Sequence, residues 1–171
     1  MRFLRPLLVV VALALAVTAG TLRAAPPQIT SISCDSSDMY DHPVRPHSGD
    51  QVLFGYVAVP PRDAYLGQPD RDLTKRWRYT TWRYLLVHTG TKAVTLSVPQ
   101  AWRGRFGINF GDSGNRGLTA LRVSPCRYAL SNGLWNEFGG NFSFNARACV
   151  PLVVRVGKRS TTVHFGLGKR C

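Results

Sequence analysis

The stretch ACVPLVVRVGKRSTTVHFGLGKRC, residues 148–171, decides the fold. Val150, Leu152, Val154 and Val156 recur at every second position, and Thr161, Val163, Phe165 and Leu167 can return on the same side. A period of two sends alternate side chains to opposite faces of a strand, so the segment reads as a hairpin. Its turn is GKRS, 157–160, with Gly157 available for a positive φ. If Gly157 pairs with Ser160, Cys149 falls opposite Gly168. A Cys149–Cys171 bridge then requires the tail to curl back about three residues, because a disulfide holds its two Cα atoms ~4.4–6.8 Å apart.

The same period continues outward from the hairpin. In KAVTLSVP (92–99), Val94, Leu96 and Val98 oppose Thr95 and Ser97. In WRGRFGINF (102–110), Trp102, Phe106, Ile108 and Phe110 oppose Arg103, Arg105 and Asn109; Phe142 and Phe144 alternate with Ser143 and Asn145. QVLFGYVAV (51–59) is apolar on both faces, as a central strand is. PPRDAYLGQPDRD (60–72) reads as a long loop. In RDLTKRWRYTTWRYLL (71–86), Trp77 and Tyr79 share one parity while Trp82 and Tyr84 take the other. That change of phase calls for a β-bulge or bend at Thr80-Thr81. No capped 3.6-residue period and no internal repeat interrupts the pattern. The fold class that follows is all-β: an antiparallel β-sandwich, immunoglobulin-like, of about eight or nine strands, with an open β-barrel as the alternative. Trp102 and Trp135 are expected deep in its core.

The front of the chain has another character. Arg2 and Arg5, an unbroken apolar run over 7–17 and small residues after it have the order of a signal peptide. The apolar run is shorter than the ~20 residues a spanning helix needs. Residues 1–25 are therefore assigned to a signal peptide, with cleavage after Ala19 or near Ala25. Residues 26–50 form an irregular N-terminal segment with a short strand at 29–32, and residues 51–171 a single β domain. The product is secreted or held in the cell envelope, with no transmembrane segment after signal removal. All four cysteines, Cys34, Cys126, Cys149 and Cys171, lie in the exported part and lack CxxC spacing, so they read as two structural disulfides. Cys149–Cys171 and the alternative set Cys126–Cys149 with Cys34–Cys171 remain equal rivals.

Charge narrows the partners. The whole chain carries a formal +13; without Arg2, Arg5 and Arg23 it still carries +10. Such a surface favours polyanions, although arginine outnumbers lysine 18 to 4, which a GC-rich genome can produce by itself.

The order of blocks in the C-terminal half is informative as well. WRGR at 102–105, SPC at 124–126, GGNF at 139–142, ACVPL at 148–152 and FGLGKRC at 165–171 resemble a group of small secreted proteins of actinobacteria. The resemblance covers residues 76–171 and implies an actinobacterial source and an exported β domain. Its shared residues are aromatic, glycine and cysteine, which specify a fold; it implies no activity.

Several constellations invite chemistry. GDSG at 111–114 matches part of a serine-protease signature, with Asp112, Ser113 and His88 or His164 as its cast. The signature continues as NRG, and Gly, Asp, Ser and Asn equally suit a polar turn. Asp35, Asp38, Asp41, His42 and His47 are metal-ligating types, but their spacing matches no calcium loop, and no metal site or cofactor is assigned. Basic and aromatic residues interleave at 76–84, a pattern able to track a polyanion, or simply the edge of a core with solvated arginines. The tentative binding residues are Arg76, Arg78, Arg103, Arg105, Arg155, Lys158 and Arg159, with Arg103, Arg105 and Arg155 expected to share a basic wall. The expected function is an exported non-catalytic domain that binds an anionic cell-envelope polymer or lipid headgroup, without a nucleotide cofactor. A structural or protein-interaction domain with no ligand is the alternative, and a hydrolase the third reading.

Overall fold

Alternating sequence becomes strand throughout the computed structural model, which describes residues 28–38, 42–63, 70–71, 77–114, 117–128 and 134–171. The strands are β1 (Thr30–Ile32), β2 (Gln51–Leu53), β3 (Val57–Val59), β4 (Asp70–Arg71), β5 (Tyr79–His88), β6 (Val94–Ser97), β7 (Phe106–Phe110), β8 (Ala120–Val123), β9 (Trp135–Phe144), β10 (Ala148–Val156) and β11 (Arg159–Leu167). They form two sheets. Sheet A has the order β1-β8-β6-β10-β11; sheet B has β2-β3-β5-β9-β7, with β4 also on β5. Every pairing is antiparallel except β1 with β8. The protein is an all-β sandwich.

The inner faces supply one continuous core. Val94, Leu96, Leu121, Leu152, Val154 and Phe165 of sheet A meet Val57, Leu85, Phe106, Ile108, Phe138 and Phe142 of sheet B. Phe142 joins the two layers: its ring lies 5.3 Å from that of Phe106, 5.7 Å from Phe110 and 5.1 Å from Phe165, centroid to centroid. Aromatic pairs at such distances add ~0.5–1.5 kcal/mol each to the area they bury.

Four local expectations are corrected. QVLFGYVAV is not one central strand but a hairpin, with Leu53 paired to Val57 across a turn in which Phe54 (φ 58°) and Gly55 (φ 67°) are both left-handed. Two successive positive φ values match the twist of the flanking strands. No bulge breaks β5: it pairs with β9 one to one from Tyr79↔Phe144 to His88↔Trp135. The change of aromatic parity instead reflects a strand that has apolar cover on both faces, Tyr79 on the main core and Tyr84 on a second, smaller cluster. Trp102 precedes its strand, in a 3-10 turn at Gln100–Trp102, and both it and Trp135 are only half-buried. Trp77, by contrast, is buried.

The closing hairpin is the fourth. Val156 pairs with Arg159, so the turn is only Gly157-Lys158, with Gly157 at φ 59°. Cys149 consequently faces Gly166, two residues earlier than Gly168. The tail turns back through Gly168 (φ 64°), and Cys149 bonds Cys171 with 4.8 Å between Cα atoms. Cys34 bonds Cys126 with 5.1 Å between Cα atoms. The rival pairing is not formed, because its partners stand on separate elements already occupied. Two disulfides suit an oxidising, extracytoplasmic compartment. Among the described residues no helix is long and apolar enough to cross a membrane; residues 1–27, with the expected signal peptide, lie outside them.

Candidate functional site

Sheet A is unusual on its outward face. Along β6 the outward residues are small, Thr95 and Ser97, preceded by Ala93. Its neighbours are arginine-bearing: Thr95 pairs with Arg122 of β8 on one side and with Arg155 of β10 on the other. Residues directly opposite across strands share a face. The row continues to both edges as Ser31–Arg122–Thr95–Arg155–Ser160, crossing all five strands. Small floor and long walls leave a groove of about 610 Å³, lined by Ile29, Thr91, Lys92, Ala120, Arg122 and Arg155 among others. Among the described residues no acid lines it. The arginine and lysine side chains are exposed, and among the described residues neither Arg122 nor Arg155 makes a side-chain hydrogen bond or ion pair.

The frame beneath this groove is held firmly. Cys126 follows β8 and is bonded to Cys34 just past β1, and Ser124 N–H donates to the Ile32 carbonyl (3.0 Å). The 89–93 connection that presents Lys92 is fixed at both ends. Gly90 N–H donates to the Cys126 carbonyl (2.5 Å), and Lys92 N–H to the Tyr56 hydroxyl (3.0 Å).

The residues singled out from sequence divide between the two ends of the sandwich. Arg78, Arg103 and Arg105 gather around Asn145, where β9 of sheet B ends. The Asn145 side chain accepts from Arg78 N–H (3.1 Å) and donates to the Gly104 carbonyl (3.1 Å), while its N–H donates to Arg105 O (3.1 Å). The Arg105 guanidinium lies 4.7 Å over the Trp102 ring and donates to Ala101 O. Arg155, Lys158 and Arg159 belong to the opposite end, with Arg159 stacked 4.4 Å over the Phe54 ring. Arg103 and Arg105 therefore do not share a wall with Arg155. They precede an edge strand of sheet B, whereas Arg155 is central in sheet A. Arg76 lies outside the described residues. Arg122 and Lys92 were missed, since nothing near either in sequence marks it; the signal is the register that brings 122, 95 and 155 into one row.

The other constellations resolve into structure. GDSG begins a 3-10 turn, Gly111–Ser113. Gly111 (φ 56°) must be glycine, since a Cβ there would stand 3.1 Å from Ile32 Cδ1 and 3.2 Å from the Ser36 carbonyl. Ser113 is buried, and its hydroxyl accepts from Phe110 N–H (3.0 Å). The histidines lie elsewhere. His88 sits between the rings of Tyr56 and Trp135, and His164 is exposed on β11 opposite Pro151. Asp38 continues the sheet: it bridges Glu137 and accepts from Gly139 N–H (2.9 Å). Asp35 accepts from the Tyr128 hydroxyl (2.6 Å), a bond that holds that phenol's pKa above its ordinary value. Asp41 lies outside the described residues, and among those described no three His, Cys, Asp or Glu side chains converge on a metal position.

His47 and Asp50 belong to a strap, residues 42–50, laid over the outward face of sheet B. Val44 packs there on Ala58 and Leu86. The Asp50 carboxylate, only 1% exposed, accepts from the Tyr84 hydroxyl (2.8 Å) and from His47 N–H (2.7 Å). The His47 ring nitrogen lies 3.1 Å from the same hydroxyl. Burial, then the bond to Asp50, push the Tyr84 phenol well above its usual range. A small cleft of about 290 Å³ at the strap mixes charges, with His42, Arg45, His47 and Glu137.

Comparison with protein-family models, with curated proteins and with solved structures finds no match to this chain.

Proposed function

We propose that the chain is an exported, non-catalytic β domain that binds an anionic component of the cell envelope through the outward face of sheet A. One observation carries the reading: three cations, Lys92, Arg122 and Arg155, surround a groove of about 610 Å³ that no acid lines among the described residues. A volume of this size falls in the ~300–1,000 Å³ range of small-ligand sites. Structural cations are usually neutralised by neighbouring carboxylates; here Arg122 and Arg155 stand on the strands either side of β6 and Lys92 on the connection before it, which suits an external anion. The signal-peptide pattern of the first 25 residues and the two disulfides support export.

The test is a salt titration of the processed protein binding to its own envelope fraction. The proposal expects binding that falls steeply between low and physiological salt, as screening of exposed charges requires, and that is lost in the Arg122→Gln/Arg155→Gln double variant. Salt-insensitive binding would favour the second reading, a protein-interaction domain. That reading draws on the exposed side chains of Tyr128 (55%) and Leu134 (60%), which flank residues 129–133.

A further inference from the structure

We infer that the groove on sheet A is a site for a phosphate monoester carried on a sugar, seated over Thr95 between Arg122 and Arg155. The inference rests on the proposed anion-binding role and names the chemistry of that ligand.

The argument is one of charge and donor number. Arg122 and Arg155 are each directly opposite Thr95, so each Cβ lies ~4.5–5.5 Å from that of Thr95. Arginine side chains of that origin can close on a single group above the hydroxyl. A carboxylate offers two acceptor oxygens and carries one charge. Here two guanidinium forks, the Lys92 ammonium and the hydroxyls of Thr91, Thr95 and Ser97 line the same depression. The three cations exceed the single charge of a carboxylate or a sulfate ester. A phosphate monoester fits better, with three terminal oxygens and a charge of about −1.5 to −2 at neutral pH.

The shape of the groove decides what carries the phosphate. The donors face a trough whose floor is Ala93, Thr95, Ser97 and Ala120, so a flat bilayer surface could touch its rim but not its floor. Of the large apolar side chains exposed among the described residues, only Ile29 borders it, which leaves little there to anchor in lipid. The floor runs along β6 and offers hydroxyl groups without an aromatic platform. A polar, hydroxyl-rich carrier lying along the strand satisfies them.

The titration behaviour follows. Lys92, Arg122 and Arg155 are the charged groups lining the groove; Lys158 sits in the adjoining turn, and His164 stands on the same face four residues beyond Ser160 along β11. The second ionisation of a phosphate monoester falls near pH ~6. Affinity should therefore rise as pH passes from 5 to 7 because the ligand gains a charge.

The experiment is a titration of the oxidised, processed, ¹⁵N-labelled protein followed by amide shifts, with glucose 6-phosphate, glucose 6-sulfate and glucuronate as probes. Glucose 6-phosphate is expected to shift amides of 92–97, 120–123 and 153–157 and to bind about tenfold more tightly than either singly charged probe at pH 7.5. The margin should shrink at pH 5.5. Arg122→Gln and Arg155→Gln should each weaken phosphate binding about tenfold, as loss of a charged hydrogen-bond partner does, with an unchanged melting temperature. Thr95→Val should reduce the preference for phosphate over sulfate. Equal affinity for the three probes would overturn the monoester while leaving the anion-binding role intact. Shifts confined to another surface would overturn the site. Binding to phosphatidic acid vesicles without binding to glucose 6-phosphate would overturn the sugar carrier. Absence of both probe binding and salt-sensitive envelope binding would overturn the inference together with the function on which it rests.

Discussion

The two sheets of this sandwich each have an outward face, and the chain treats them oppositely. On sheet B the face is covered: Val44 of the 42–50 strap sits on Ala58 and Leu86, and Trp77 is buried beside Gly117. Polar groups on that side are buried too. Asn109 donates to Asn141 (2.8 Å) and to Ser143 (3.3 Å) and accepts from Gly117 N–H (2.7 Å). On sheet A the face is open, with small residues on β6 and exposed arginines on either side. The difference teaches that equal period-two alternation can specify a second packing layer or a free surface. What separates them is whether another segment of the chain returns to cover the face.

The comparison can be broken most severely at the disulfide that joins the N-terminal segment to the frame. Replacing Cys34 and Cys126 together with alanine opens a loop of 92 residues, for which the chain-entropy relation gives a loss of about 4–5 kcal/mol. Denaturant unfolding should show that loss; a drop below about 1 kcal/mol would mean that β1 and the strap are held without it. Next is the covered face. Leu86 is fully buried against Val44 and Ala58, and Leu86→Ala should cost about 2–5 kcal/mol, measured the same way. If sheet B tolerated that change as an exposed site does, the strap would not be a packing layer.

Tyr84→Phe should have a smaller effect, about 1.5–3 kcal/mol, since it removes a donor from the buried Asp50 carboxylate. The wild-type phenol also carries a pH signature. Its folded pKa lies above the unfolded value of 10.0, so the folded form holds the proton more strongly. The stability it contributes is complete below pH ~10 and is lost as pH rises toward the folded pKa. Spectrophotometric titration should find that the last tyrosine to ionise disappears in Tyr84→Phe. The smallest change is expected on the open face. Arg122→Gln and Thr95→Ala should each alter stability by no more than about 0.5 kcal/mol. A larger loss would show that sheet A's outward face is structural.

Sequence alone made the sheets legible, because alternation survives wherever one face is buried. Val94, Leu96, Phe142, Val154 and Phe165 are all where the period put them. What it could not convey was pairing. The hairpin turn was placed one residue late, with Gly157 rather than Val156 closing it, because both Gly157-Lys158 and Lys158-Arg159 are polar pairs between the apolar runs, and that shift moves the partner of Cys149 by two residues. The 51–59 stretch looked like one strand because a turn built on Phe54 and Gly55 is apolar. The groove was hidden for the same reason: Arg155 stood out, but Arg122 and Lys92 acquire meaning only when β8, β6 and β10 lie side by side.

The order in which strands meet has a consequence for how the chain is made. In sheet B, β9 joins β7 to β5, and in sheet A, β10 joins β11 to β6; both come from the last third of the sequence. β1, the first strand, pairs with β8 some ninety residues later. A chain emerging from its N-terminus therefore has no complete sheet until residue 144 has appeared, and neither bridge can close before residue 126. Such non-local topology folds slowly. Both sheets and both disulfides are therefore completed late in sequence order, and the Cys149–Cys171 bridge joins segments that lie on either side of β11.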